Sequence, residues 1–222
     1  MARQVVVIGL GQFGLGLIRA LSQTDTEIIA VDTDEKIVEM ASSWVSKAMC
    51  FDATNEEALA QIQPGIRDVC VCATGDQSKE VGIICTALLK QLGAKRVISR
   101  ANDELHARIL KLVGADEVVN PEWDFGARFA PRILNQHVLG EMLLDSELVI
   151  SEFVAPKNLC GKSLAELNLR NKYDISIIAL KSKSSGQVIQ AGPQNLIEEG
   201  DILISASSRE AIRELVEKED ES

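Results

Sequence analysis

The first 120 residues alternate between short, continuous apolar runs and amphipathic stretches. Typical runs are VVVI at residues 5–8 and VCVC at residues 69–72. Because these runs are apolar at consecutive positions, the strands they form are expected to be buried on both faces, as in a parallel sheet covered by helices. Strands are predicted at residues 4–8, 27–31, 47–51, 68–73, 95–99 and 117–119.

Helices are predicted between these strands, at residues 14–21, 35–42, 56–62, 79–92 and 104–113. Asp34, Asn55 and Asp103 precede three of the helices, and these residue types commonly accept hydrogen bonds from first-turn amides. Six strands with intervening helices are the complement of one Rossmann-like fold, an α/β doubly wound parallel sheet.

The alternation ends at Asn120 and Pro121. Residues 123–144 are predicted to be helical, with interruptions at Pro131 and His137, and to form a linking arm. The predicted organisation is therefore a nucleotide-binding domain over residues 1–120, crossover or linker helices over 121–145 and a smaller domain over 146–222.

The smaller domain has short alternating strands, predicted at 149–154 and 175–180, and is read as an α+β unit. Two capping boxes predict helix starts within it, Ser163 with Glu166 and Ser207 with Glu210. Residues 217–222 are expected to be a frayed, solvated end.

Composition narrows the class of protein. A formal charge of -10 argues against a nucleic-acid-binding surface, so any phosphate ligand has to be held locally by backbone dipoles. Five cysteines without a CxxC pair do not suit a secreted disulfide framework, which favours a cytosolic protein. The sequence has no signal-peptide pattern and no apolar run approaching the roughly 20 residues that cross a bilayer.

The first apolar run opens into Gly9-x-Gly11-x-x-Gly14. A glycine triplet alone is weak evidence, but one that follows a buried strand and begins a helix is typical of a dinucleotide-binding loop. Asp32, about 20 residues further on, is expected to bind ribose hydroxyls and to repel a 2′-phosphate. The alternative role of Asp32 is to cap the next helix, although Asp34 is also placed for that role.

Two further strand ends are expected at the same crevice, because ligands of doubly wound sheets sit at the carboxyl ends of the strands. Residues 52–54, with Asp52 and Thr54, could contact an adenine edge, and residues 73–75 follow the fourth strand. Ordinary turn chemistry is the alternative for Asp52 and Thr54.

No evident catalytic reagent accompanies this loop. His106 and His137 are expected to be surface or packing residues, and Cys70 and Cys72 are expected to lie in the core. Tyr173 has no catalytic partners in the sequence, and no group has zinc-ligand spacing. The chain is therefore predicted to bind a nucleotide without being an enzyme. An NAD-dependent oxidoreductase with unrecognised catalytic residues is the alternative, and a nucleotide-binding structural subunit of another transporter or channel is a third possibility.

Several motifs in order suggest a family. GLGQFG, AVD, FDAT and CATG are followed by LVGAD at 112–116, by NPE at 120–122 and by CGKSLAELNLR at 160–170. Together they resemble the RCK (also called KTN) regulators of potassium transport, in particular the stand-alone cytosolic subunits of Trk/Ktr-type uptake systems. The resemblance covers about residues 3–217.

The resemblance implies a Rossmann-like RCK (TrkA-N) domain, a crossover helix exchanged between paired subunits and a C-terminal TrkA-C domain. It further implies homodimers that assemble into rings, commonly octamers, beneath a membrane-embedded potassium-translocating subunit. The protein would be cytoplasmic, held at the inner face of the membrane by this partner, and nucleotide binding would gate the pore.

The resemblance also implies roles for individual residues. The expected nucleotide contacts are Gly9, Leu10, Gly11, Gln12, Phe13 and Gly14 in the phosphate loop, Asp32 and Thr33 at the ribose, Asp52, Ala53 and Thr54 at the adenine side, Ala73, Thr74 and Gly75 in a covering loop, and Arg100 at the phosphates. Glu122 matches a position that helps to hold a divalent cation.

Two points about ligands follow from the same resemblance. Gln12 replaces an arginine common in Ktr-type relatives, which puts ATP-specific activation in doubt and makes ADP, AMP or NAD(H) more competitive with ATP. Cyclic di-AMP is a possible second ligand, at the region of Arg170, Asn171, Ile177, Ile178 and Pro193. The alternative for that region is dimerisation alone, and Asn171 departs from the small residue usual there.

Overall fold

The computed structural model describes residues 2–75, 79–134, 137–145 and 147–217. It forms two compact units, Met1–Pro121 and Glu122–Ser222. The predicted frayed end lies outside the described residues from 218 onward. The assignment of residues 121–145 to a separate linker stays a prediction.

A parallel sheet forms the centre of the first unit. Its strands run in the order β3-β2-β1-β4-β5-β6 in the described part of the chain, which is the order of a Rossmann-type sheet. The predicted fold class is confirmed. The strands are β1 (Arg3–Ile8), β2 (Thr26–Asp32), β3 (Lys47–Cys50), β4 (Val69–Cys72), β5 (Val97–Arg100) and β6 (Glu117–Val119).

Five helices of the first unit are described: α1 (Gln12–Leu21), α2 (Glu35–Ala41), α3 (Glu56–Ala60), α4 (Lys79–Gln91) and α5 (Glu104–Leu112). The predicted caps are confirmed, since Asp34, Asn55 and Asp103 each accept a hydrogen bond from a first-turn amide. One apolar core lies on each face of the sheet, which explains why β1 and β4 are apolar at consecutive positions.

The packing of α1 on β1 depends on Gly14. A Cβ added at Gly14 would lie 2.0 Å from the carbonyl oxygen of Gly9, a main-chain atom that cannot move aside alone. Gly16 lies on the exposed side of the same helix, and a Cβ there would meet no described atom within 4 Å. The two glycines therefore differ only in what surrounds them.

The second unit contains an antiparallel sheet with the strand order β10-β9-β11-β8-β7 in the described residues. The predicted strands at 149–154 and 175–180 are found, and three others were not predicted. The strands are β7 (Val138–Leu143), β8 (Val149–Val154), β9 (Ser176–Lys181), β10 (Val188–Gln190) and β11 (Ile202–Ser207).

The helical prediction for residues 123–144 is wrong at Val138–Leu143, which form β7. Helix α6 (Pro121–Leu134) continues through Pro131, and β7 then pairs with β8. A register shift between Val138 and Gly140 interrupts this pairing. The shift breaks the alternation of apolar and polar positions that would have indicated a strand.

Three short helices complete the second unit: α7 (Leu164–Leu167), α8 (Leu169–Tyr173) and α9 (Arg209–Glu217). The capping box of Ser163 and Glu166 is confirmed. The box predicted for Ser207 is wrong, because β11 continues through Ser207 and Ser208 instead accepts from the Ala211 amide at 3.2 Å.

Helix α9 covers the core of the second unit. Its buried side chains Ile212 and Leu215 pack with Phe153 and Leu203. At its first turn, Nε of Arg209 donates to the nearly buried carboxylate of Glu141 on β7 at 3.0 Å. This ion pair joins the first strand of the sheet to the last helix.

Within the described ranges, every helix is too short or too polar to span a membrane.

The first prediction compares the two glycines of α1. Gly14→Ala is expected to lower the free energy of unfolding by about 1–3 kcal/mol, because the new methyl group overlaps main-chain atoms of Gly9. Gly16→Ala is expected to raise it by up to about 1 kcal/mol through helix propensity. Urea denaturation of both variants measures the difference, and equal effects would contradict the assigned packing.

Candidate nucleotide-binding site

The turn after β1 is shaped by two glycines with different surroundings. Gly9 has a φ of +89°, and a Cβ there would lie 3.0 Å from the Thr74 nitrogen, so the fold itself requires glycine. Gly11 has an ordinary φ of -66°, and a Cβ there would meet no described atom within 4 Å. Gly11 is thus a glycine that packing within the described chain does not require.

Helix α1 begins directly after Gly11. Its N-cap has no side-chain hydrogen bond, and its first turn contains no acidic residue. The first-turn amides of Gln12, Phe13 and Gly14 therefore retain their donor capacity and the positive end of the helix dipole, the arrangement that binds a phosphate.

Asp32 lies at the carboxyl end of β2, beside this turn. One carboxylate oxygen accepts from the Leu10 amide at 2.6 Å, and the other accepts from the Asp34 amide at 2.9 Å. Asp34, rather than Asp32, caps α2 through the Lys36 amide. Asp32 is therefore held against the glycine turn and does not act as the helix cap.

The segment after β3 has the hydrogen bonds of a tight turn. One oxygen of Asp52 accepts from both the amide and the hydroxyl of Thr54, at 2.9 and 2.8 Å. These hydrogen bonds, with the amide first, hold the pKa of Asp52 below its usual value. Ala53 is buried in the core, so it offers the site its main chain at most. Thr33 is exposed, and its carbonyl accepts from the Cys50 thiol at 3.4 Å.

The 73–75 loop directly follows β4 and is held against the end of β1. The Ala73 amide donates to the Ile8 carbonyl at 2.7 Å, which ties the loop to the end of β1. Arg100 is largely buried at the end of β5, and one guanidinium nitrogen would lie 3.9 Å from a Cβ on Gly75. The structure thus brings the glycine turn, Asp32, the 73–75 loop and Arg100 to one end of the parallel sheet.

Two polar residues at this end of the sheet, Asn102 and His106, were not predicted as site residues. His106 is 3% exposed on the inner face of α5, and its Nδ1 accepts from the Asn102 amide at 3.3 Å. Burial lowers the pKa of His106 and outweighs the opposing attraction of the Asp103 carboxylate. The four-residue spacing from His106 to the buried Leu110 was a sequence signal for this position.

The buried thiols confirm the expected core role of Cys70 and Cys72, which lie in the apolar cluster of the parallel sheet. Burial raises the pKa of Cys70 to about 12, so this thiol is not a nucleophile at neutral pH.

Glu122 lies in the first turn of α6 and is exposed. It belongs to the second compact unit, whereas the glycine turn belongs to the first. No group of three or more histidine, cysteine or carboxylate side chains is arranged to hold a metal ion within the described ranges. The cation role of Glu122 stays a prediction.

The residues of the second predicted ligand region lie on α8, on β9 and in the loop that follows β10. Arg170 and Asn171 are exposed on α8, where the side-chain amide of Asn171 donates to Oδ1 of Asn168 at 2.7 Å. Ile178 is exposed on β9, and its carbonyl accepts from the Ala191 amide at 2.9 Å. This bond draws the loop that contains Pro193 alongside β9. Ile177 occupies the preceding position on β9.

Comparison with known families and proteins gives consistent matches along the chain. Residues 5–121 match the TrkA-N domain, and residues 148–219 match the TrkA-C domain. The chain is 34% identical over 203 residues to Ktr system potassium uptake protein A of Vibrio alginolyticus, covering 91% of each chain. It is 34% identical over 210 residues to Ktr system potassium uptake protein C of Bacillus subtilis (strain 168), covering 94% of this chain and 93% of that protein.

Solved structures of the GsuK channel share the fold. The GsuK RCK domain has a TM-score of 0.67 at 16% identity and matches 98% of this chain and 47% of its own. The GsuK channel bound to NAD has a TM-score of 0.65 at 17% identity and matches 97% of this chain and 39% of its own. The chain therefore spans less than half the length of these channel proteins.

The second prediction concerns the acid sensitivity of folding. Because the folded protein lowers the pKa of His106 from 6.5, the stability due to this histidine is complete above pH 6.5 and is lost as the pH falls through the lowered value. The lowered pKa of Asp103 acts in a separate window, below about pH 4. His106→Gln is expected to remove the loss of stability that begins as the pH falls below 6.5.

Urea denaturation across this pH range measures the effect. An identical decrease in the free energy of unfolding for wild type and variant would contradict the assignment.

Proposed function

The chain belongs to the TrkA-N and TrkA-C domain family of Ktr-type potassium uptake proteins, and on this premise we propose that it is a nucleotide-sensing regulatory subunit. It binds an adenine nucleotide at the glycine turn and transmits the binding to a membrane-embedded potassium-translocating partner. Its place is the cytoplasmic face of the membrane, where this partner holds it.

The observation that carries the nucleotide proposal is the combination of Gly11 with the uncapped start of α1. Packing within the described chain gives no reason for glycine at Gly11, whereas the approach of a pyrophosphate to the main chain does. The first-turn amides supply the donors for that pyrophosphate. Asp32 supplies a carboxylate for the ribose beside them, already oriented by the Leu10 amide.

The choice among nucleotides depends on charge near the phosphates. Gln12, at the first position of α1, offers no charge-assisted contact, and such a contact contributes about 1.5–3 kcal/mol where it is made. Arg100 is the cation that the fold places beside the 73–75 loop. We propose that ADP, AMP or NAD(H) competes effectively with ATP. The GsuK channel, which shares the fold, has been solved with NAD.

The paired state is proposed from α6. This helix has 14 residues and none of its described side chains is buried, although a helix of this length is marginal in water without packing. Phe125, Phe129 and Ile133 are spaced four residues apart on one face, and the two phenyl rings are stacked with centroids 5.5 Å apart. A second copy of the chain would cover this stripe and give the crossover arrangement.

A ring of such dimers supports the proposed gating. A ligand shifts a conformational equilibrium only through its different affinities for the two states, and coupling is commonly about 1–3 kcal/mol per site. Moving a gate from 1:99 to 99:1 takes about 5.5 kcal/mol. Several subunits, such as an octamer, supply this amount where a single site does not.

Two further ligands belong to the proposal. A divalent cation at Glu122 and cyclic di-AMP at the Arg170 region would each act through the second unit. Ile178 is 44% exposed on β9, which suits either a ligand base or dimerisation.

The oxidoreductase alternative needs a group that transfers a proton beside the bound cofactor. Burial lowers the pKa of His106, so its ring is neutral and its Nδ1 is already engaged by the Asn102 amide, and the Cys70 thiol stays protonated. Neither residue supplies that group, which favours the regulatory role.

The third prediction tests the site. Asp32→Asn keeps the size of the side chain but removes its charge, and it is expected to weaken nucleotide binding at least tenfold, because charge-assisted hydrogen bonds to the ribose hydroxyls are lost. Calorimetry against ATP, ADP, AMP, NAD and NADH measures the change. Asp34→Asn is the matched control, because asparagine caps a helix as well as aspartate does. Absence of binding to wild type, or equal binding by the two variants, would overturn the site.

The fourth prediction tests the paired state. The protein is expected to elute as a dimer or larger assembly, and Ile133→Asp is expected to shift it toward the monomer, because a buried unpaired carboxylate is unfavourable. Ile66→Asp, at another exposed isoleucine in the first unit, is the control and leaves the mass unchanged. Light scattering measures the mass. A wild-type monomer with and without nucleotide would reject the ring.

A further inference from the structure

Two side chains near the carboxyl end of β5 have buried polar atoms that the described part of the chain does not satisfy. Nε2 of His106 and both the amide nitrogen and oxygen of Asn102 are inaccessible to solvent and make no hydrogen bond with any described residue. Leaving a buried polar group unsatisfied is unfavourable, and such groups in native proteins usually have a specific reason.

The hydrogen bond at Nδ1 fixes what Nε2 can do. Because Nδ1 accepts from the Asn102 amide at 3.3 Å, it carries no proton in the neutral ring, and the proton is on Nε2. The main chain of Lys79 acts to raise the pKa of His106, but it makes no hydrogen bond with Nε2. His106 therefore presents a neutral donor, and Asn102 adds a donor and an acceptor.

These groups lie on a definite side of the nucleotide site. A Cβ placed on Gly82 would be 2.9 Å from the Thr74 hydroxyl and 3.8 Å from Nε2 of His106. Thr74 and the imidazole thus flank the same point on α4, and Arg100 reaches Gly75 in the same loop.

The strand order gives the direction of the ligand. In the order β3-β2-β1-β4-β5-β6, Asp32 lies on the β2 side of the glycine turn, whereas the 73–75 loop, Asn102 and His106 lie on the β4 and β5 side. A nucleotide with its first ribose at Asp32 and its phosphates at α1 points its far end toward β4 and β5.

We propose that Asn102 and His106 form a subsite for the distal half of a dinucleotide, binding the hydroxyl and amide groups that lie beyond the pyrophosphate. The inference rests on the proposed nucleotide site and specifies its ligand class. Both side chains are uncharged donors and acceptors, which suits the second ribose and the base of a dinucleotide. Because the groups are covered, the 73–75 loop has to shift when they are engaged.

The subsite predicts a difference between long and short ligands. AMP lacks the distal half, ADP-ribose contains the second ribose, and NAD contains the ribose and its base. A site whose buried polar groups are left unpaired by a shorter ligand discriminates against that ligand. Wild type is therefore expected to bind NAD more tightly than AMP.

The fifth prediction uses variants that remove the distal contacts only. Asn102→Ala and His106→Asn are each expected to weaken NAD binding about tenfold or more and to change AMP binding less than twofold. In His106→Asn the new amide oxygen stands near the position of Nδ1, so the bond from the Asn102 amide is retained while Nε2 is lost. His106→Gln places a donor near the position of Nε2 and is expected to recover part of the NAD affinity.

Calorimetry of the full-length chain with AMP, ADP-ribose and NAD gives the result, and thermal unfolding checks that each variant is folded. Should His106→Asn fail to fold, Asn102→Ala and His106→Gln carry the comparison. An equal loss of AMP and NAD affinity, unchanged NAD affinity in both variants, or a wild type that binds NAD no more tightly than AMP would each overturn the subsite. Failure of wild type to bind AMP as well as NAD would instead overturn the nucleotide site itself.

Discussion

The close approach between α1 and the end of β1 is the constraint on which the first unit depends. Gly14 sits so near the Gly9 carbonyl that no side chain fits between them. This contact aims the start of α1 at the carboxyl end of the sheet, where the amides of its first turn and the Asp32 carboxylate face the same crevice. A small geometric requirement in the main chain thus places both a positive helix end and a fixed negative charge.

The polar groups at this edge are largely oriented before any ligand arrives. Asp32 is held by two main-chain amides, and the 73–75 loop is tied to β1 through the Ala73 amide. Preorganised groups lose little conformational entropy on binding. Displacement of the loop would break the hydrogen bond between the Ala73 amide and the Ile8 carbonyl.

The sequence was most informative where one local rule sufficed. Apolar runs identified the strands of the parallel sheet, and the Asp34, Asn55 and Asp103 caps followed from residue type. It failed at β7, where a register shift and exposed apolar side chains made an edge strand resemble a helix. The helix cap was expected at Ser207 but lies at Ser208, because Ser207 is still part of β11.

The same distinction between local rules and tertiary packing applies to the candidate site. The glycine spacing and Asp32 could be selected from the sequence because these residues belong to, or bond with, the main chain of one turn, and their roles toward a ligand stay predictions. The position of the buried polar atoms of His106 and Asn102 at the site could not be predicted, because it depends on how α5 lies against α4 and the 73–75 loop. That arrangement brings together residues about 30 positions apart, and no local pattern records it.

Strand β7 has a mechanical consequence for the second unit. Only three residues separate Leu134, the last residue of α6, from Val138, the first residue of β7, a connection that spans at most about 14 Å when fully extended. A force applied to α6 by a bound partner would therefore reach the sheet almost without slack. In the described sheet β7 is an edge strand, paired to β8 on one side. Its separation from β8 would therefore leave the remaining strands paired. The Arg209 contact to Glu141 and the buried Val138 side chain hold the same strand to α9 and to the core.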